Sequence, residues 1–385
     1  MTVYLDNAAS TPLDPRVLEA MMPHLTDVYG NATALHGLGR QANTALEQAR
    51  STVARLLGAK RPNEIIFTSG GTESDNAAIL GITQGKVKRG NKAHVAVSNI
   101  EHHAVLNSAQ QLVFLGHECS QIPCDKRGFI QPDSLVAALR SNTMLVSVMA
   151  ANNEIGTVQD IVALAKAAHD VGACFHTDAV QALGKVDLHL DAMGVDAASF
   201  SGHKIHGPKG VGVLYLRSRT PFRSQMAGGG QEAGMRSGTP NVAGAVGFAK
   251  ALELACQQRE QENAREQQLR DHLADRMLQG SERIHLVVDP RGADAMGECR
   301  AYLPGMLSIV VEGQETQTML LRLDEAGFCV SGGSACSSGS LEPSHVLKAL
   351  GIKRDLAYGA LRISLGHDTS QKDVDDFANA LLAIV

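Results

Sequence analysis

The sequence predicts an α/β fold in which helices cover a mainly parallel sheet. Short runs rich in Val, Ile, Leu, Phe and Ala alternate with stretches of helical spacing such as residues 159–171, and polar motifs follow where the apolar runs end. Strands are expected at residues 64–67, 93–97, 143–149, 173–176, 197–200 and 210–216. Because such sheets bind ligands at the carboxyl ends of their strands, the motifs at those ends are the candidates for chemistry.

Length and composition indicate one large domain and one smaller domain. The chain has 385 residues, of which 44% are hydrophobic. A long polar helical pattern over residues 241–279 suits a helix that leaves the first domain for the second. We therefore expect a large domain at 15–255, and a small domain formed by 1–14 and 256–385.

Charge and hydropathy exclude several classes of protein. A net charge of about −5 makes direct high-affinity binding of nucleic acid unexpected. No apolar run is long enough to span a bilayer, and the first residues lack the features of a signal peptide, so we expect a cytoplasmic protein. The seven cysteines include no C-x-x-C pair, which is typical of reduced thiols.

A glycine motif after the strand at 64–67 predicts a phosphate site. In residues 68–75 the glycines let the backbone come close to a ligand, and a helix opens near Thr72 with free amide groups. For this motif alone, an ordinary capped helix start is the alternative. Gly71 and Thr72 are the candidate phosphate residues, with Ser201 and His203 as further donors.

A lysine and a carboxylate at strand ends point to a cofactor. Lys204 follows the strand at 197–200, and Asp178 follows the strand at 173–176. Pyridoxal phosphate (PLP) needs an amine for its aldehyde and an anion for its pyridine nitrogen. Lys209 is the rival amine, but its glycine-flanked setting suggests a turn, which favours Lys204.

Three further side chains fit this chemistry. Gln181 could reach the ring hydroxyl, and His102 could stack on the ring and move protons near neutral pH. Cys336 lies in a glycine- and serine-rich segment at 331–340, where a nucleophilic thiolate could travel. Together with the cofactor pattern, this thiol indicates an enzyme that handles sulfur.

Eight ordered motifs, covering nearly the whole chain, resemble those of the cysteine desulfurases of the NifS and IscS type. They lie at residues 6–12, 68–76, 101–105, 152–156, 176–181, 201–204, 236–239, and 333–336 with 341–345. The resemblance implies a homodimeric PLP-dependent transferase of fold type I. Its large domain would hold a mainly parallel seven-stranded sheet, and its smaller domain would be α+β.

The resemblance also implies an activity, in which L-cysteine becomes L-alanine and its sulfur passes, as a persulfide on Cys336, to an acceptor protein. By motif match, the implied cofactor residues are Gly71, Thr72, His102, Asn152, Asp178, Gln181, Ser201, His203, Lys204 and, reaching the neighbouring subunit's phosphate, Thr239. The implied catalytic residues are Cys336, Lys204 and His102, and the implied substrate residues are Asn152 and Arg362. A protonated His102 would help Cys336 to ionise.

Several alternatives remain open. The acceptor could serve iron-sulfur cluster assembly, transfer-RNA thiolation or DNA phosphorothioation. Ala233 and Gly305 replace an arginine and an asparagine that relatives often carry, which favours a specialised member. A selenocysteine lyase or an aminotransferase is the nearest rival, and Cys336 argues against the aminotransferase. A non-catalytic sulfur-transfer scaffold is more distant, and a metal protein lacks a recognised ligand spacing.

Overall fold

The computed structural model describes residues 2–291, 301–333 and 342–385. Within these residues the strands are β1 (Val3–Tyr4), β2 (Ile65–Thr68), β3 (His94–Ser98), β4 (Glu118–Ile122), β5 (Thr143–Ser147), β6 (Cys174–Asp178), β7 (Ala197–Ser201), β8 (Gly212–Leu216), β9 (Ile284–Leu286), β10 (Met306–Val311), β11 (Phe328–Cys329) and β12 (Ala360–Ser364). The helices are α1 (Pro15–Thr26), α2 (Gly37–Leu56), α3 (Gly71–Lys86), α4 (His103–Phe114), α5 (Pro132–Ala138), α6 (Ile161–Asp170), α7 (Leu190–Met193), α8 (Val242–Gly280), α9 (Thr316–Glu325), α10 (His345–Ala349), α11 (Arg354–Ala357) and α12 (Gln371–Ile384).

Seven strands form one large sheet, in the order β2–β8–β7–β6–β5–β3–β4. Neighbouring strands are parallel except at β8, which runs antiparallel to both β2 and β7. This confirms the predicted mainly parallel sheet, and the six strands expected from the sequence lie within a few residues of their predicted positions. The seventh strand, β4, lies at the sheet edge and is only partly buried. Its polar sequence therefore lacks the apolar run that identified the others.

The sheet brings three strand ends to the same edge. β2 ends at Thr68, β6 at Asp178 and β7 at Ser201. Gly212, the first residue of β8, pairs with both Thr68 and Ser201. Polar motifs that are distant in the sequence therefore meet at one edge, as expected for a sheet of this kind.

A smaller sheet and the N-terminal segment form the second part of the fold. β9, β10 and β12 make an antiparallel three-stranded sheet, and β1 pairs in parallel with β11. Asp6 forms a bridge with Ser364 at the end of β12. The first residues of the chain thus lie against the C-terminal part, as the sequence analysis expects.

Helix α8 joins the two parts. Phe248 and Leu252, in its first half, lie in the core under the large sheet, whereas Leu273 and Met277, in its second half, lie in a separate core with β10 and β12. The predicted long polar helix at 241–279 is therefore present. The domain limits themselves stay a prediction.

In the part of the chain that the structure describes, no helix combines the length and the apolar character that crossing a membrane requires.

Candidate active site

The first polar cleft lies where β2 ends and α3 begins. Gly70 has a φ of 154°, a conformation that residues with side chains rarely adopt. A Cβ on Gly71 would lie 2.7 Å from Cγ2 of Val180, so the absence of a side chain permits close packing here. The first turn of α3 has no side-chain cap, which leaves its amide groups available to an anion. The cleft is lined by Ser10, Ser69, Gly70, Gly71, Thr72, Glu73, Ser201, His203, Lys209 and Gly210.

The four predicted phosphate residues therefore lie together in this cleft. His203 Nδ1 is 3.2 Å from Oγ of Ser10, a hydroxyl to which the sequence analysis assigns no role. Burial, together with the charges of Lys204 and Lys209, lowers the pKa of His203 to about 4. A neutral imidazole that accepts from Ser10 at Nδ1 carries its hydrogen on Nε2, where it can donate to a ligand.

Lys204 follows β7 directly, on a 3₁₀ turn at Gly202–Lys204. Its Nζ donates to the backbone oxygens of Ala8 and Ala9, at 2.6 Å and 2.9 Å. Lys209 is exposed and lines the phosphate cleft. The half-buried Lys204 is thus held against the N-terminal segment, while its rival lies at the mouth of the cleft.

Asp178 and His102 lie side by side. Asp178 ends β6 in a buried position, and one of its oxygens accepts from the backbone N–H of Val180 at 2.9 Å. His102 caps α4, since its Nδ1 accepts from the N–H of Ala104 at 3.1 Å. Polar atoms of Asp178, His102 and Asp75 all lie within 4.8 Å of one another. Burial raises the pKa of Asp178, and the nearby His102 opposes that rise.

The charge state of His102 differs from the sequence expectation. Burial lowers its pKa, and the neighbouring Lys204 lowers it too, whereas Asp178 raises it. The net direction is downward, so a neutral ring is favoured near pH 7. The expectation of a protonated His102 overlooked this burial, which a sequence motif does not reveal.

Two further acids surround Asp178. Burial, with the charge of Asp178, raises the pKa of Asp75 well above its ordinary range. Burial likewise raises the pKa of Glu101 to about 8. Asp75 Oδ1 and Glu101 Oε2 are buried without a hydrogen-bond partner. The raised pKa values favour the neutral form of both carboxyls, and the charge of Asp178 contributes to each rise.

His176 completes this buried layer. Its two ring nitrogens lie 2.8 Å from Oγ of Ser147 and 2.9 Å from Oγ of Ser199. Burial lowers its pKa to about 3, so the ring is neutral. It lies 3.7 Å from Asp75 and contributes polarity without charge.

Arg362, on β12, is buried and paired. Its Nη2 lies 2.7 Å from Oδ1 of Asp6, and its Nη1 donates to the backbone oxygen of Asn153 at 2.8 Å. The third nitrogen, Nε, is buried without a hydrogen-bond partner. A planar guanidinium fixed on two sides in this way is suited to a carboxylate ligand.

The predicted residues Gln181 and Asn152 are engaged with backbone. Gln181 Nε2 donates to the oxygen of Ala8 at 2.9 Å. Asn152 is fully buried; its Nδ2 donates to the oxygen of Ile100 at 2.9 Å, and its Oδ1 accepts from the N–H groups of Glu154 and Ile155. In this structure Asn152 stabilises a turn beside His102, and its contact with a ligand stays a prediction.

Comparisons with known proteins identify the family. The aminotransferase class-V family model matches residues 3–377. The chain belongs to the aminotransferase class-V family. It is 44% identical over 383 residues to the cysteine desulfurase IscS of Dictyoglomus turgidum, a match that covers 100% of this chain and 94% of the relative.

Solved structures agree with this family. A NifS-like protein superposes with a TM-score of 0.91 at 37% identity, covering 100% of this chain and 99% of that chain. A structure of SspA in complex with cysteine superposes with a TM-score of 0.80 at 33% identity, covering 95% of this chain and 99% of that chain. This member of the aminotransferase class-V family is therefore a PLP-dependent enzyme of fold type I and of the cysteine desulfurase type. The predicted fold class, the cysteine desulfurase activity and the cofactor are confirmed, whereas the persulfide on Cys336 and the acceptor protein stay predictions.

The residues present fit PLP. The cleft at α3 offers free amides and close backbone approach for a phosphate, and Lys204 supplies a primary amine. Asp178 is a buried carboxyl beside two other buried acids, a setting that favours a bound cation such as a protonated pyridine nitrogen. These residues lie around the carboxyl ends of β2, β6 and β7 in the large sheet.

Two predicted residues are not placed in this site. Cys336 lies outside the described residues. Thr239 is exposed, and it is absent from the side chains that line the phosphate cleft of its own chain. Both assignments stay predictions.

Four further residues of the site, Asp6, Asp75, Glu101 and Ser10, carry no role in the expectations drawn from the sequence. Asp6 and Asp75 fall within quoted motifs, and Glu101 precedes His102 directly, so their positions in the sequence were a usable signal. Their roles depend on burial and on partners from other segments, such as Arg362 for Asp6. Those contacts could not be read from spacing alone.

Proposed function

We propose that this enzyme moves the sulfur of L-cysteine onto Cys336 and then to an acceptor protein. The observation that carries the proposal is the position of the chain on either side of residues 334–341. Ser331 forms a backbone bridge with Arg362, and Ser344 Oγ lies 2.5 Å from Oε2 of Glu154. On one side of Cys336 the chain thus pairs with the backbone of Arg362, and on the other side it contacts Glu154, a carboxyl on which the charge of Arg362 acts.

The proposed roles follow from the chemistry of each group. PLP, when bound, supplies an aldehyde for the substrate amine and a ring that takes up electrons. Arg362 binds the substrate carboxylate, Lys204 accepts the α-proton at Nζ, and Asp178 holds the proton of the ring nitrogen. Neutral His102, whose Nδ1 accepts from the N–H of Ala104, is placed to accept or donate a proton at Nε2.

The bonds and electrons of the sulfur transfer balance between the substrate and Cys336. The thiolate of Cys336 attacks the substrate sulfur, so that an S–S bond forms and the substrate Cβ–S bond breaks. The Cβ receives the electron pair and takes up a proton to give the methyl group of alanine. The substrate carbon is reduced, the sulfur pair is oxidised to the persulfide level, and no external oxidant is needed.

A homodimer is part of the proposal. Leu18, Met22 and Leu25 form an exposed apolar stripe along α1, and Tyr29 and Leu35, which follow it, are 71% and 89% exposed. Such a stripe is more typical of an interface than of a solvated surface. In a dimer, the exposed Thr239 would reach the phosphate bound by the neighbouring subunit. A cytoplasmic location stays a prediction.

The decisive experiment compares two variants. Cys336→Ala should keep the absorbance of the bound cofactor, yet lose the formation of alanine and sulfide from cysteine. Lys204→Ala should lose the absorbance of the lysine-linked cofactor and all turnover. Normal turnover by Cys336→Ala would contradict the persulfide route, and retained lysine-linked absorbance in Lys204→Ala would move the linkage to another amine.

A further inference from the structure

The phosphate cleft lacks a positive charge among its predicted ligands. Gly71, Thr72 and Ser201 are uncharged, and burial lowers the pKa of His203 to about 4, so that it is neutral near pH 7. A phosphate monoester carries between one and two negative charges at this pH. The amides at the start of α3 provide only a partial positive charge. A positively charged side chain close to the cleft would therefore strengthen the binding of the phosphate.

Two cationic side chains close to the cleft, Arg236 and Lys204, already bind other groups. Arg236 pairs with Glu73, with Nε 2.8 Å from Oε1 and Nη2 3.2 Å from Oε2, so that its charge is offset. Lys204 donates to the oxygens of Ala8 and Ala9, and it is the amine assigned to the cofactor aldehyde. An amine that binds the aldehyde cannot also serve as the phosphate countercharge.

Lys209 remains. It lines the same cleft as Gly71, Thr72 and Ser201, and its charge acts on His203. We propose that Lys209 binds the phosphate of the cofactor and supplies the missing positive charge. This inference deepens the proposed function, because it rests on the assignment of the cleft as the phosphate site.

The sheet itself positions Lys209. The chain turns at Gly210, whose φ is 76°, and enters β8 at Gly212. Gly212 pairs with Thr68 on one side and with Ser201 on the other. A Cβ on Gly212 would lie 2.6 Å from the backbone of Gly70, so this segment packs directly on the glycine loop. Lys209 therefore approaches the cleft from a fixed strand start.

The test compares PLP with pyridoxal, which lacks the phosphate. In the full-length protein, Lys209→Met should weaken the binding of PLP about tenfold, as expected for the loss of a charge-assisted contact, and leave the binding of pyridoxal unchanged. Lys209→Arg should bind PLP within about threefold of the unaltered protein. Raising the salt concentration should reduce the difference in PLP affinity between Lys209→Met and the unaltered protein, because salt screens the charge of Lys209.

Lys88→Met is the matched control. Lys88 is exposed just beyond the far end of α3, so that the same charge is removed away from the cleft. Unchanged PLP binding in Lys209→Met, or an equal loss of PLP and pyridoxal binding, would overturn the inference. Neither result touches the proposed function, which fails if Cys336→Ala turns over cysteine normally, and neither touches the Lys204 linkage, which fails if Lys204→Ala retains lysine-linked absorbance. Lysine-linked absorbance lost from Lys209→Met at saturating PLP would overturn both the inference and the Lys204 linkage.

Discussion

Arg362 and Asp178 are both buried candidate site residues, but their surroundings are opposite. The charge of Arg362 is met by the Asp6 carboxylate and by the backbone oxygen of Asn153. Asp178 lies near two other carboxyls, Asp75 and Glu101. Burial and the charge of Asp178 raise the pKa of both. On the Arg362 side the buried charge is neutralised by an ion pair with Asp6. On the Asp178 side the repulsion between carboxyls is reduced by protonation of Asp75 and Glu101.

This contrast shows how each side of the site is prepared for its ligand. A paired guanidinium is stable and oriented before the substrate arrives. A carboxyl among other carboxyls gains stability when a cation is added, so cofactor binding should stabilise the Asp178 side most. Three substitutions test this contrast between the Arg362 side and the Asp178 side.

The largest effect is expected on the paired side. Arg362→Gln should lower the free energy of unfolding by about 3 kcal/mol, because it leaves the partly buried Asp6 carboxylate without its partner. The KM for cysteine should rise about a hundredfold, while the cofactor absorbance stays. Chemical denaturation and steady-state kinetics measure the two effects.

Arg16→Gln is the control for that substitution. Arg16 pairs with Asp14 at 2.6 Å on the surface, and its side chain is 47% exposed. The loss of such an exposed pair should leave the free energy of unfolding nearly unchanged. Equal losses in the two variants would show that burial does not distinguish the pairs.

The next effect is expected from Glu101, and it depends on pH. The folded protein raises the pKa of Glu101 from its ordinary value of 4.5 to about 8. The neutral Glu101 carboxyl therefore makes its full contribution to the free energy of unfolding below pH 4.5. That contribution is lost as the pH rises toward 8. Glu101→Gln should remove this loss, raising the free energy of unfolding of the cofactor-free protein by about 2 kcal/mol at pH 8.

Denaturation of both proteins at pH 5 and pH 8 measures this prediction. At pH 5 the variant and the unaltered protein should differ by less than about 1 kcal/mol, since Glu101 is then almost entirely neutral in the fold. A variant that is destabilised equally at both pH values would mean that Glu101 is ionised in the folded protein.

The smallest effect is expected from Asp75→Asn. Because the Asp75 carboxyl is held neutral, an amide of the same shape should change the free energy of unfolding by less than about 1 kcal/mol. Asp6→Asn is the matched substitution on the paired side, and it should cost about 2 kcal/mol, because it removes the countercharge of a buried guanidinium. Equal costs at the two aspartates would remove the contrast between the two sides.

Much of the fold and of the site was predictable from the sequence. Apolar runs identified the six strands because strands buried on both faces need continuous apolar side chains. The glycine motif before Thr72, the lysine after β7 and the carboxylate that ends β6 were recognisable because each lies within a few residues of a strand end. Local pattern was sufficient at these positions.

Other features required the three-dimensional arrangement. Asp6 and Arg362 are separated by nearly the whole chain, and β12 with the N-terminal segment brings them to 2.7 Å. The neutral state of His102 arises from its burial, which depends on every element packed around it. The polar edge strand β4 was missed for the same reason, since its strand conformation depends on pairing with β3.

Residue type and short-range spacing thus determined the elements, the chemical groups and the family. Tertiary structure alone decided which of those groups are charged and which distant partners they meet. The physical reason is that strand periodicity and glycine conformation are local properties of the chain. Desolvation and ion pairing depend instead on all the atoms within a few ångströms, wherever they lie in the sequence.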